Sequence, residues 1–153
     1  MPKIKSLRHF QGLMQRSIPF NVPFVSGKEI SYIKEVFENQ HFAGNGPFTN
    51  KTQRLLEDTL GASKVLLTHS CTVALEISCL LLDLSPGDEV IIPSFTFVTT
   101  ASSVMRCGAI PVFCEVNPET MSIDPDDAES RITEKTKAII PVHYAGFPSD
   151  MDG

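Results

Sequence analysis

The stretch Lys64–Leu84, KVLLTHSCTVALEISCLLLDL, constrains the fold of this chain more than any other. Its pattern predicts a buried strand at Val65–Leu67, a polar turn at Thr68–Cys71 and a helix over Thr72–Asp83. Between its ends the helix is apolar almost all round. A helix without a polar face packs inside a protein, so we expect this one to lie against a sheet or a partner.

The start of this helix is also a candidate anion site. Its first turn carries no acidic residue, and Ser70 and Thr72 lack the Glu three residues later that would complete a capping box. The amide N–H groups of that turn and the positive end of the helix dipole are therefore available to an anion. The turn is either a phosphate site or a well-capped helix start, and the residues alone favour the capped helix.

The sequence outside this stretch predicts alternating helices and strands. Two helices come first: one starts at a capping box in Ser26–Glu29, and the other covers Thr49–Leu60 and ends at Gly61. After the central stretch we expect further strands at Glu89–Ile92, Ile110–Val116 and Ala138–Val142, with helices in between that reach Met105 and run from Asp124 to Ile132. Four strands alternating with helices over short connections indicate an α/β fold with a mainly parallel sheet.

Three segments follow the predicted strands at the edge where such sheets bind ligands: Thr68–Thr72, Ser94–Phe97 and His143–Gly146. They offer hydroxyls and amides, an aromatic face and an imidazole, which suit a planar, phosphorylated ligand. Taken singly, Phe97 is more often a core residue, and His143 is more often a hydrogen-bonded polar residue than a catalyst. The sequence contains no glycine-rich dinucleotide motif, P-loop or His/Cys cluster with metal-ligand spacing.

Composition limits the class of protein. The 153 residues suffice for one domain with a core, and the net charge of −5 argues against nucleic acid as the main partner. No apolar run reaches the roughly 18 residues of a membrane span. The four cysteines lack C-x-x-C spacing, so we expect reduced thiols in a cytoplasmic protein. Residues 1–17 are predicted to be a solvated leader without a secretory signal.

The central stretch, PSFTF at Pro93–Phe97 and the later segments VNPETMSID and IIPVHYAG together resemble the DegT/DnrJ/EryC1/StrS family of sugar aminotransferases. The likeness runs from about Ile18 to the end of the sequence. It implies an α/β fold in which residues 18–153 form the N-terminal part of the large domain of a fold-type I, pyridoxal-phosphate-dependent transferase. In that topology, strands absent from these residues separate Val65–Leu67 from the other predicted strands.

The resemblance also implies the roles of individual residues. The cofactor is pyridoxal 5'-phosphate (PLP); its phosphate is bound by Cys71, Thr72 and Val73, and its pyridine ring stacks on Phe97. The most similar branch forms dTDP-4-amino-4,6-dideoxygalactose by moving an amino group from glutamate to a 4-keto-6-deoxy nucleotide sugar. It serves the synthesis of enterobacterial common antigen and other surface polysaccharides, a class that includes lipopolysaccharide. The implied enzyme is a cytoplasmic homodimer that binds neither metal nor membrane.

Two motifs of the family are missing. The Asp that keeps the pyridine nitrogen protonated and the Schiff-base Lys do not occur, and Lys64, Lys135 and Lys137 lie at unsuitable positions. We therefore expect an inactive fragment with no catalytic residue of its own. The alternative is a non-enzymatic, truncated product that binds at most a phosphorylated ligand or a full-length relative. A Rossmann-type nucleotide-binding domain is a weaker alternative because the first turn lacks glycines.

Overall fold

The computed structural model describes residues 19–152, which divide into two compact units with the boundary between Val65 and Leu66. The predicted leader, residues 1–17, lies outside the described residues.

The first unit contains helices α1 (Glu29–Asn39) and α2 (Pro47–Leu60). At the start of α1 the Glu29 carboxylate accepts hydrogen bonds from the amides of Ser26, at 2.7 Å, and Gly27, at 2.8 Å. Bonds from its own amide and that of Ser26 lower the pKa of Glu29 to about 2. The Ser26 hydroxyl accepts from the Lys28 amide instead of the Glu29 amide. The predicted capping box therefore forms only on its glutamate side.

Helix α2 (Pro47–Leu60) ends as predicted at Gly61, whose φ of 66° is the left-handed conformation of a helix C-cap. The Glu57 carboxylate holds the segment that follows. It accepts from the Val65 amide at 3.0 Å and pairs with Lys64 Nζ at 3.3 Å. Both contacts lower the pKa of Glu57, and the hydrogen bond from the Val65 amide has the larger effect.

The second unit is a parallel sheet with helices. In chain order its elements are α3 (Cys71–Leu81), β1 (Glu89–Pro93), α4 (Val98–Arg106), β2 (Ile110–Cys114), α5 (Pro125–Ser130), β3 (Thr136–Ile139) and a 3-10 turn (Tyr144–Gly146). Both strand pairings of the sheet are parallel and the strand order is β2-β1-β3. This arrangement confirms the predicted α/β class with a parallel sheet. The described sheet has three strands instead of the four expected.

The prediction of a strand at Val65–Leu67 is wrong. These residues join no ladder, and the side chains of Leu66 and Leu67 are 63% and 42% exposed. A strand needs a neighbour for its backbone groups, and within residues 19–152 the three strands pair only with one another. The unpaired segment agrees with the gap that the family topology implies.

Helix α3 packs against the sheet as expected, but it is less buried than its apolar sequence predicts. It buries Cys79, but Leu80 and Leu81 are 69% and 79% exposed. Strand β3 was predicted at Ala138–Val142 and lies further towards the N-terminus. The Ile140 amide donates to the Ile91 carbonyl, and the next bond of the ladder would need an N–H group on Pro93 of β1, which has none.

The sheet has a small core on each face. On one face, residues of β1 pack with helices α3 and α4: Val90, Ile92, Cys79 and Val104. On the other face, residues of β1 and β2 pack with α5 and the segment before it: Ile91, Cys114, Ala128 and Ile123. Helices α4 and α5 therefore cover opposite faces, as right-handed crossovers require when one connection runs left and the next runs right.

Candidate functional site

The start of α3 is capped by Ser70. Its backbone is extended, and its hydroxyl accepts a hydrogen bond from the Val73 amide at 3.3 Å. The Thr68 hydroxyl in turn donates to the Ser70 carbonyl at 2.9 Å, which holds the turn in place. The interpretation as a capped helix is thus confirmed for one of the three amides implicated by the family resemblance.

The other two amides that the family resemblance implicates, those of Cys71 and Thr72, are not used by this cap. These first amides of a helix have no acceptor within the helix, and neither donates to another group among residues 19–152. Cys71 is exposed, Thr72 is half-buried, and the first turn contains no acidic residue. Two N–H groups, one hydroxyl and the positive helix end can therefore act on one anion.

Phe97 lies where β1 connects to α4 and occupies the N-cap position of α4. Its side chain is 71% exposed, so the simpler interpretation of Phe97 as a core residue is wrong. The hydroxyls of Thr96 and Thr100 lie 2.9 Å apart and support this turn. The ring of Phe97 is accessible to a ligand.

A ring contact joins two of the three predicted segments. The centroids of Phe95 and Tyr144 lie 4.5 Å apart, which brings the ends of β1 and β3 together as the sequence predicted. Helix α3, which carries the third segment, packs against α4. Two of the three segments therefore meet at the carboxyl edge of the parallel sheet, and no hydrogen bond or ring contact among residues 19–152 joins the first turn of α3 to Phe97.

His143 has a structural partner. Its Nδ1 atom accepts a hydrogen bond from the Ser149 amide at 3.0 Å, and the Ser149 hydroxyl donates to the Val142 carbonyl at 3.3 Å. A ring that accepts at Nδ1 carries its proton on Nε2 when neutral. This confirms the interpretation of His143 as a hydrogen-bonded polar residue.

All four cysteines are free thiols, and they differ in exposure, with Cys107 half-buried. Cys79 and Cys114 are buried, and desolvation raises the pKa of Cys114 to about 11. Such thiols behave as small hydrophobic residues, as predicted. Cys71 is exposed at the candidate site.

The candidate site suits a phosphorylated aromatic group. The start of α3 offers unused amides, a hydroxyl and a helix end without acidic residues, and Phe97 offers an exposed ring; these are the groups that a phosphate and a planar ring require. Across residues 19–152, no cluster of three His, Cys, Asp or Glu side chains could hold a metal ion. No helix in that range is long and apolar enough to cross a membrane.

The structure also contains a feature that the sequence reasoning missed. A cavity of about 620 Å³ lies between α5 and the end of β3, and its lining includes neither Cys71 nor Phe97. Its residues are scattered in the sequence between Ile123 and Met151. Only the handedness of the crossovers could have indicated it.

Solved structures share this fold. Sugar aminotransferase Spr1654 from Streptococcus pneumoniae, in its PMP-form, has 36% identity and a TM-score of 0.79, with 88% of this chain and 34% of that chain covered. NtdA from Bacillus subtilis with bound cofactor PMP has 37% identity and a TM-score of 0.76, covering 90% and 33%. The aminotransferase from Psychrobacter cryohalolentis has 33% identity and a TM-score of 0.80, covering 88% and 34%.

The chain thus spans about a third of the length of these structures. The S. pneumoniae protein has also been solved in a PLP-form, so PLP or PMP is the cofactor of two of these relatives. The model of one family matches residues 24–153, nearly all of the chain. The chain therefore belongs to the DegT/DnrJ/EryC1/StrS aminotransferase family.

Proposed function

We propose that this chain supplies the cofactor-phosphate site of a PLP-dependent sugar-nucleotide aminotransferase. The observation that carries the proposal is the start of α3, where the amides of Cys71 and Thr72 have no acceptor among the described residues. The exposed ring of Phe97 follows at the interval that the family uses.

In this proposal each residue has its own role in binding the cofactor. Cys71 and Thr72 donate their amides to the phosphate, and the Thr72 hydroxyl adds a charge-assisted hydrogen bond. The Val73 amide stays with Ser70 and fixes the geometry of the helix start. Phe97 stacks against the ring and excludes water from one side of it. The bound cofactor supplies the electron sink of the reaction.

The 153 residues alone are proposed to be inactive. Phe97 follows the carboxyl end of β1, whereas Lys135 precedes β3 and Lys137 lies within it, near its amino end. Lys64 pairs with Glu57 in the other unit. In this proposal none of these amines acts as the cofactor-binding lysine of the family, and no carboxylate is assigned to the pyridine nitrogen.

The finer assignment follows the resemblance. The full activity would transfer an amino group from glutamate to the 4-keto carbon of dTDP-4-dehydro-6-deoxyglucose, for synthesis of enterobacterial common antigen and lipopolysaccharide. A full-length enzyme of this family would work as a cytoplasmic homodimer. Support comes from the family match and from relatives described as sugar aminotransferases.

Borohydride reduction tests the proposed inactivity. The chain is incubated with PLP and reduced, the adducts are located by mass spectrometry, and amino transfer from glutamate to the dTDP sugar is assayed in parallel. We expect no stoichiometric adduct on a single lysine and no transfer, because the required lysine is missing. One fully labelled lysine together with amino transfer would overturn the proposal.

A further inference from the structure

Residues 142–149 form a tight turn shortly after β3. His143, with φ −76° and ψ 75°, is the centre of an inverse γ-turn, in which the Tyr144 amide donates to the Val142 carbonyl at 2.9 Å. Ala145 follows with φ 53° and ψ 24°, a left-handed conformation that residues other than glycine seldom adopt. Such a strained backbone persists only where the contacts around it hold it in place.

Two hydrogen bonds from Ser149 hold the ends of this turn together. Its amide donates to His143 Nδ1 at 3.0 Å, and its hydroxyl donates to the Val142 carbonyl at 3.3 Å. Ser149 is only 5% exposed, so water has little access to either bond. A variant without an acceptor at Nδ1 would leave the buried amide without its partner, which is costly. The imidazole of His143 therefore keeps the turn closed.

The turn contacts the candidate site through a pair of aromatic rings. Tyr144 packs on Phe95 with the ring centroids 4.5 Å apart, and the two residues are 41% and 38% exposed. Phe95 belongs to the connection between β1 and α4, which ends at the exposed Phe97. The closed turn after β3 thus supports the segment that carries the ring of Phe97.

This connection between β1 and α4 is held at three points. The Ser94 amide donates to a carbonyl of β2 at 2.8 Å, and the Thr96 hydroxyl lies 2.9 Å from that of Thr100 in α4. The third point is the contact of Phe95 with Tyr144. The first two use neighbouring elements of regular structure, whereas the third depends on a strained turn. Opening that turn would therefore loosen the connection without unfolding the sheet.

We propose that His143 is a positioning residue for the ring of the cofactor. By accepting the Ser149 amide, it keeps the strained turn closed. The closed turn holds Tyr144 against Phe95, and this contact fixes the ring of Phe97 for stacking on PLP. His143 itself touches neither cofactor nor substrate. This role rests on the proposed function, because it belongs to the same site.

Two amide variants of His143 separate the hydrogen bond from the rest of the side chain. In His143→Asn the side-chain oxygen takes the place of Nδ1 and accepts from the Ser149 amide, whereas in His143→Gln it extends towards the place of Nε2. Titration calorimetry should show PLP binding weakened about three- to tenfold in His143→Gln, the range of a lost aromatic stacking contact. His143→Asn should bind PLP as the wild type does.

A double-mutant cycle tests whether His143 acts through Phe97. Phe97→Leu removes the aromatic ring and keeps an apolar side chain at this exposed position. In that background, His143→Gln should cause almost no further loss of PLP affinity, because the ring that it positions is gone. The affinity for inorganic phosphate, which needs only the start of α3, should be the same in all these variants.

Two further measurements separate positioning from folding. Hydrogen exchange of the cofactor-free chain should be faster at the Ser149 amide in His143→Gln than in the wild type or His143→Asn. Equal rates would show that His143 does not hold the turn. Tyr144→Leu removes the ring contact at an exposed position and leaves the imidazole in place. It should weaken PLP binding as His143→Gln does, and circular dichroism checks that each variant is folded.

Three results with PLP would also overturn the proposal. In the first, a folded His143→Gln or Tyr144→Leu binds PLP as tightly as the wild type. In the second, His143→Asn loses as much affinity as His143→Gln, so that the hydrogen bond is not the cause. In the third, His143→Gln weakens binding equally with and without the Phe97 ring. A wild-type chain that binds no PLP would overturn the proposed function itself, and the role of His143 with it.

Discussion

The two units of the chain use their apolar residues differently. In residues 19–65 the only buried side chain is that of Gln53, although α1 carries an apolar stripe of Ile30, Ile33 and Phe37. These three side chains are 51–63% exposed. In residues 66–152, by contrast, Val90, Ile91 and Ile92 of β1 are completely buried, with helices on both sides.

The difference shows that a hydrophobic pattern determines local structure before it determines burial. Local contacts suffice to start and end α1 and α2, such as the Glu29 cap and the left-handed Gly61. Burial requires a second surface, and a parallel sheet provides two of them at once. We therefore expect the stability of the chain, and the position of its candidate site, to depend mainly on the second unit.

The largest expected effect compares a buried isoleucine with an exposed one. Ile91→Ala removes a side chain from the centre of β1 and should cost about 2–5 kcal/mol of the free energy of unfolding. Ile33→Ala makes the same change in α1, where the side chain is 51% exposed, and should cost less than about 0.5 kcal/mol. Urea denaturation followed by circular dichroism measures both. Equal losses of the free energy of unfolding in the two variants would contradict the difference between the two units.

A second comparison concerns carboxylates. Asp127 accepts from the Glu115 amide at 2.7 Å and from Arg131 Nε at 2.6 Å, so it ties α5 to the end of β2. The bond from Arg131 and then that from the amide hold the pKa of Asp127 well below its usual range. Glu29, whose pKa is lowered to about 2, contacts only residues beside it in sequence.

Asp127→Asn should therefore lower the urea midpoint at pH 7 more than Glu29→Gln does. A depressed folded pKa means that each carboxylate stabilises the chain above its unfolded pKa, roughly 3.9 for Asp and 4.3 for Glu. That contribution is lost as the pH falls through the folded value. The difference between wild type and each variant should thus shrink from pH 5 towards pH 2. A difference that persists unchanged at pH 2 would rule out the carboxylate as its cause.

The smallest expected effect lies in the backbone of the first unit. Gly61 has a φ of +66° with open space around it, so Gly61→Ala creates no clash but forces alanine into a left-handed conformation. We expect a loss of about 1 kcal/mol in the free energy of unfolding. Gly44→Ala, also in open space and without a positive φ, is the control and should not destabilise. Thermal unfolding of the two variants gives the comparison.

Local rules predicted most elements of the fold. Gly61 and the caps at Ser70 and Asp124 mark helix ends by side-chain or backbone chemistry that the sequence displays directly. The prediction of a strand at Val65–Leu67 failed because a strand forms only beside a neighbouring strand, and the local sequence does not show whether that neighbour is present.

The candidate site was predicted in part. Its position at the start of α3 followed from the residue pattern, whereas PLP came only from the family resemblance. That Ser70 uses the Val73 amide could have been anticipated, since an N-cap serine bonds the third amide of a helix. The exposure of Phe97 could not, because it depends on which neighbours cover the turn between β1 and α4.

The most direct test of the account is calorimetric titration of PLP into wild type, Thr72→Val and Ser70→Ala. Thr72→Val keeps the shape but removes the hydroxyl, so we predict PLP binding weaker by roughly 0.5–1.5 kcal/mol, or more with a charged phosphate as partner. Its free energy of unfolding should hardly change. Ser70→Ala removes the observed cap and should instead lower the free energy of unfolding by about 1 kcal/mol. Unchanged affinity of Thr72→Val for PLP would contradict the claim that this helix start binds the cofactor phosphate.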